Sequence, residues 1–195
     1  MIPIKKRLEM IIPKLQSESL LQCKGQGGEI SFYIFDYDSK DELLVRDYIR
    51  YFLQQFNTPD SLIRPIEFDL YLLMIETLKR RNILDRVEHM EEREGHERVF
   101  KAIKSVVQPE NIIQIIQERM TDHNLVLLTG VGKVWPFVRS HTILNNLHHV
   151  LDTVPVIMFF PGVYDQTELR LFNKFKDDNY YRAFKLIDNS KGVYK

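Results

Sequence analysis

The chain has 195 residues, ample for a hydrophobic core and within the ~100–200 residues usual for one domain. Hydrophobic residues make up 44% and charged residues 28%, a globular rather than a disordered composition. Lys plus Arg equals Asp plus Glu at 27 each, so no overall charge draws the chain to nucleic acid or an acidic membrane, and the one cysteine, Cys23, excludes a disulfide framework.

The N-terminal stretch MIPIKKRLEMIIPKLQ is charged and is interrupted by Pro13, so it lacks the continuous apolar core of a signal peptide. No run approaches the ~18 apolar residues that would span a bilayer, and the expected location is cytoplasmic. Residues 1–23 read as one or two helices, and KGQGGE as a loop. ISFYIF (30–35) is the first predicted strand, of suitable length and rich in β-formers. From Asp41 a helix begins, with Val45, Tyr48, Ile49, Phe52 and Phe56 recurring at three and four.

IRPIEF (63–68) is a second strand, and Pro65 argues for a sheet edge or for the strand's first residues, because proline cannot donate to the ladder. Asp69 is positioned to cap the helix LYLLMIETLKRR. The charged stretch VEHMEEREGHERVFKAIKSVV is amphipathic, with Gly95 weakening its middle. QPENIIQIIQERM is a further helix with Pro109 at its first position. NLVLLT (124–129) is the third strand, PFVRSHTILNNLHHVL a helix opening on proline, VPVIMFFPG (154–162) the fourth strand and YYRAFKLI (180–187) the fifth.

Strands alternate with helices, and the third and fourth strands are apolar on both faces. That pattern marks a parallel sheet covered on each side. The expected fold is α/β, three-layered, with a mostly parallel five-stranded sheet and helices on both faces. The expected organisation is a single domain over 1–195, with a helical lead-in at 1–28, a core at 29–188 and a tail at 189–195. The pattern does not order the strands.

GVGKVWPFVRSH (130–141) follows the third strand and looks like a phosphate loop. A Walker loop, G-x-x-x-x-G-K-[ST], wraps backbone N–H groups around a phosphate and holds magnesium with its hydroxyl. Counting from Gly132-Lys133, the first glycine falls on Leu127 and the hydroxyl position on Val134. A dinucleotide loop, G-x-G-x-x-G, fails at Trp135. The glycines therefore read as a tight turn from strand to helix, with a weak anion site between Lys133 and Arg139 as the functional alternative.

Other chemistry is sparse. Asp36 and Asp38 could serve a metal-dependent nuclease, but more often such residues cap and turn the chain. His141 and His148 share a helix face with Leu144 and Leu151, the pattern of half-buried histidines rather than a metal site. His89, Glu92 and His96 could align on a solvated face. FNKFKDDNYYRAFKL mixes aromatics with cations, as single-strand binders do, although a sheet core uses the same aromatics.

Taken together, YDSKDELLVR (37–46), GVGKVWPFVRSHTILNNL (130–147), VPVIMFFPGVYD (154–165) and YYRAFKL (180–186) resemble the BrxB family of BREX (bacteriophage exclusion) systems. The resemblance runs from about Phe35 to Ile187, and the middle, roughly 83–122, carries no matching motif. It rests on Asp38, Glu42, Arg46, Gly130, Gly132, Pro136, Arg139, Pro161, Gly162, Tyr180, Tyr181, Arg182 and Phe184. It implies a small cytoplasmic component of a multi-protein antiviral system, with other BREX proteins as partners, first among them the phosphatase-like PglZ. It carries over no catalytic residue, cofactor or metal.

The expected function is thus a non-catalytic subunit that binds another defence protein. Trp135, with the motif residues above, is the candidate contact surface, since loop-proximal Trp, Tyr and Arg anchor interfaces. The alternatives are a nucleotide- or phosphate-binding protein using a degenerate loop at 130–139, and a DNA-binding accessory subunit.

Overall fold

The computed structural model describes residues 2–17, 32–148, 150–151, 154–177 and 183–188. Two short helices come first, α1 (Ile4–Glu9) and α2 (Ile11–Gln16). Strand β1 (Phe32–Tyr37) leads through a 3-10 turn into α3 (Glu42–Phe56). Strand β2 (Pro65–Asp69) is followed by α4 (Leu70–Arg80), α5 (Val87–Glu94), α6 (His96–Val106) and α7 (Pro109–Arg119). After β3 (Leu125–Thr129) come α8 (Val131–Val134) and α9 (Ser140–Leu147), then β4 (Val156–Tyr164), β5 (Leu169–Leu171), β6 (Phe175–Asp177) and β7 (Ala183–Lys185).

Five strands form a parallel sheet in the order β2-β3-β4-β1-β7. The step from β1 to β2 crosses to the far edge, and the steps to β3 and β4 return in the opposite sense. Right-handed crossovers then place α3 on one face and the helices after β2 and β3 on the other. The strands show this residue by residue. Ile34, Val126, Leu128, Met158 and Phe160 pack against α4, α7 and α9. Phe35, Leu125, Leu127, Ile157 and Phe159 alternate with them and pack against α3, α1 and α2. The fold is the expected three-layer α/β arrangement; β2 is an edge strand and Pro65 is its first residue, which satisfies both readings of the proline.

The outer end of β4 departs from expectation. Val156–Pro161 pair in parallel with β1, and Gly162–Tyr164 pair antiparallel with β5, which pairs in turn with β6. The sequence reading contained no such hairpin. Its strands are three residues each, too short for a periodic signal, and Phe172 and Asn173 turn between them with positive φ.

Asp69 caps α4 as expected, its Oδ1 accepting the N–H of Tyr71 at 3.0 Å and of Leu72 at 3.4 Å. Pro109 opens α7. Gly95 does more than weaken a helix: at φ 80° it ends α5 and begins α6. Pro136 does not open a helix, which corrects the sequence reading. It lies in the turn after α8, joined to Trp135 by a cis peptide bond, and α9 starts at Ser140. Val134 and Val138 are buried on either side of this turn, so burial rather than helical periodicity decides the path of the chain here. The predicted fifth strand is described over Ala183–Lys185; Tyr180, Tyr181, Arg182 and Cys23 lie outside the described residues. Among the described residues, no helix is long and apolar enough to cross a membrane.

Candidate functional site

Two clefts lie at the end of the sheet where the parallel strands finish, the usual ligand position in α/β folds. The first, of about 220 Å³, opens between α3 and the ends of β1, β2 and β3. Its walls carry Glu42, Arg46 and Arg50 from α3, Tyr37 from β1, Glu67 and Asp69 from β2, Thr129 from β3, and Gly130 and Lys133 from the following turn. Ile66 and Phe68 of β2 point to the opposite face, so alternation turns Glu67 toward α3.

Each carboxylate in this cleft already has a partner. The Tyr37 hydroxyl donates to Glu42 Oε2 at 2.6 Å. Burial, reinforced by Glu42, pushes the Tyr37 phenol well above its ordinary value, which keeps the hydroxyl a donor in this bond. The Thr129 hydroxyl donates to Glu67 Oε1 at 2.7 Å. Lys133 forms an ion pair with Asp69 Oδ2 and lies 6.0 Å from the Tyr71 ring. Gly130 adopts φ 71°, and a Cβ on it would lie 2.2 Å from Asp69 Oδ1, so the glycine makes room for the cap of α4. Arg46 has no carboxylate partner among the described residues.

The second cleft, of about 250 Å³, lies between the turn after α8 and the β5–β6 hairpin. Trp135, Arg139 and Ser140 line one side, and Lys174, Phe175 and Lys176 the other. The Trp135 and Phe175 rings stack with centroids 4.3 Å apart and planes 30° from parallel.

The glycines of the motif hold these walls together. A Cβ on Gly132 would sit 2.9 Å from the Phe172 ring, and one on Gly162 would sit 2.2 Å from the Arg170 carbonyl oxygen. Pro161 is buried beside Gly132 and pairs opposite Tyr37. These positions therefore weld the loop after β3 to the hairpin.

The candidate residues are thus divided between places. Glu42, Arg46 and Gly130 meet in the first cleft; Trp135 and Arg139 line the second. Lys133 and Arg139, the proposed anion pair, do not converge. Asp38 is exposed, accepts the Lys40 N–H at 3.1 Å, and is held below its ordinary value by that bond. Asp36 is no nuclease carboxylate on offer to solvent: Arg7 Nη2 lies 2.7 Å from its Oδ1 and Lys185 Nζ 3.3 Å from its Oδ2. Phe184 is exposed on the edge strand β7 beside Tyr33. His148 lies 5.9 Å from the Phe32 ring, and His89, Glu92 and His96 are exposed, with the helix broken at Gly95. Among the described residues, no group of three His, Cys, Asp or Glu side chains could hold a metal ion. Sequence reasoning missed Tyr37, Glu67 and Thr129; a lone glutamate inside the strand PIEFD was the one available signal.

Fold and clefts define a class: a parallel α/β protein, covered by helices on both faces, with two clefts at the end of its sheet. The family model described as BREX protein BrxB matches residues 66–186. A BREX protein BrxB from Bacillus cereus (strain H3081.97) is 48% identical over 189 residues, covering 95% of this chain and 98% of the relative. Another, from Escherichia coli O9:H4 (strain HS), is 30% identical over 186 residues, covering 94% and 92% respectively. No solved structure matches. The chain belongs to the BrxB family of BREX proteins.

Proposed function

We infer that this chain is a non-catalytic subunit of the BREX antiviral system, and that it docks onto another BREX protein, the phosphatase-like PglZ first among the candidates. One observation carries the reading. The Arg46 guanidinium, without a carboxylate partner among the described residues, lines the first cleft beside carboxylates that are already satisfied, and the helices that frame this cleft carry exposed apolar side chains. Leu43 is 71% exposed and Leu72 is 61% exposed, at the first turns of the helices that leave β1 and β2. Tyr71, also exposed, borders the Lys133–Asp69 pair. An arginine flanked by apolar and aromatic groups has the composition of an interface anchor, and its planar fork suits a partner carboxylate.

Membership in a family named for a multi-protein system supports a partner within that system. The phosphate-loop alternative loses its lysine to Asp69. The test is co-purification of this chain with the other proteins of its operon, PglZ included, comparing the wild type with Leu72→Asp and Arg46→Glu. Both positions are exposed, so both variants should keep the wild-type melting transition and lose the partner. Retention of the partner by both variants would sink this docking face.

A further inference from the structure

We propose that the second cleft is a binding site for single-stranded nucleic acid, with a base stacked on the Trp135–Phe175 pair and its phosphates held by Arg139, Lys174 and Lys176. This goes beyond the docking function and uses a different surface.

The composition of the cleft carries the proposal. Phe175 remains 42% exposed although Trp135 stacks against it. An aromatic ring presented to solvent beside cations matches the two components of single-strand recognition, a stacking platform and a charged track for the backbone. Three cations line the same small space. Glu168 stands nearby, 2.8 Å from Lys176 Nζ and also paired with Arg170, and these cations hold its carboxyl below the ordinary value. It offsets part of the charge and leaves Arg139 and Lys174 without a carboxylate partner among the described residues. The described side chains that line the cleft are therefore net positive in a chain whose net charge is zero.

Size and shape select the ligand class. At about 250 Å³ the cleft is open and smaller than the ~300–1,000 Å³ pockets that enclose whole small molecules. It suits one flat ring and the charged groups beside it, with the rest of a polymer running on across the surface. Bases in a duplex are stacked on one another and cannot reach a protein ring, so a single strand is required. An acidic peptide would satisfy the cations but would leave the aromatic platform unused.

The experiment has a built-in reporter, because Trp135 is the only tryptophan in the chain. The probe is a short oligothymidylate titrated into the full chain while tryptophan emission is recorded. Saturable quenching is expected. Phe175→Leu should weaken binding about tenfold, the loss of one stacked base. Raising salt should weaken binding with a log–log slope of about −2 for three phosphate contacts, and Lys174→Glu should flatten that slope by about 0.7. Lys174 is exposed, so that variant should melt like the wild type. Absence of quenching by the oligonucleotide overturns the proposal. So does equal quenching by polyglutamate, which would make this an acidic-peptide site, and so does equal quenching by a duplex of the same length.

Discussion

Arg7 and Asp36 meet inside the protein, Nη2 to Oδ1 at 2.7 Å, with side chains 6% and 3% exposed. The guanidinium also lies over the Phe35 ring, 4.7 Å from its centroid. The second carboxylate oxygen accepts the Tyr164 N–H at 3.2 Å. One buried carboxylate thus ties α1 to β1 and β4, with Lys185 of β7 completing the cluster. Removing one partner of a buried pair strands the other charge, so Arg7→Ala should cost about 3 kcal/mol, near the lower end of the usual range because Lys185 remains. Arg7→Met combined with Asp36→Asn should be less destabilised than the sum of the two single variants. A double-mutant cycle by denaturant unfolding measures this coupling, and simple additivity would show that the two residues act independently.

The glycines should rank by what a methyl group meets. Gly162→Ala pushes against a backbone carbonyl that cannot move without breaking the β4–β5 pairing, so a loss of about 3 kcal/mol is expected. Gly95→Ala meets nothing within 4 Å and suffers only from its positive φ, at about 1–2 kcal/mol. Melting transitions of the two variants check the order, and a reversed ranking would contradict the contacts described here.

Much of the layer structure was legible beforehand because it rests on local patterns. LVLL and VIMFF are apolar at every position, as strands covered on both faces must be. Pro65, Asp69 and Pro109 each mark an element boundary by a property of one residue. The pairing of Arg7 with Asp36 had no local sign, since 29 residues separate them. The cleft was hidden for the same reason: Glu67 and Thr129 come together only through the β2–β3 register. Pro136 misled because the same residue opens helices and occupies turns, and burial of Val134 and Val138 decides between them.

Lys133 should contribute nothing to nucleotide hydrolysis. It occupies the lysine position of a loop whose first glycine is Leu127 and whose hydroxyl residue is Val134, and its ammonium is engaged by Asp69. Phosphate release from ATP with magnesium should stay at background. Turnover above background that Lys133→Ala abolishes would overturn this.

Asp165 should make the β4–β5 turn sensitive to acid. Its carboxylate accepts the Thr167 hydroxyl at 2.6 Å and the N–H groups of Thr167 and Glu168 at 2.9 Å. These bonds lower its pKa from 3.8 to about 2. A folded-state value below the unfolded one gives stability that is present above pH 3.8 and lost as pH falls toward about 2. The melting advantage of the wild type over Asp165→Ala should therefore be constant at neutral pH and shrink through that window. An advantage unchanged across the window would mean that the carboxylate does not make these bonds in solution.

Strand β4 belongs to two pairings along one continuous backbone, parallel at Val156–Pro161 and antiparallel from Gly162 onward. The hairpin is therefore an outgrowth of the central strand rather than an appendage on a tether. Whatever grips Phe175 or Lys174 grips the whole sheet, and little ordering entropy remains to be lost on contact. Orientation is transmitted the same way: a molecule held at the hairpin would stand at a set angle to anything docked over Arg46. If both clefts bind as proposed, this shared strand would hold the two bound molecules in a constant mutual geometry.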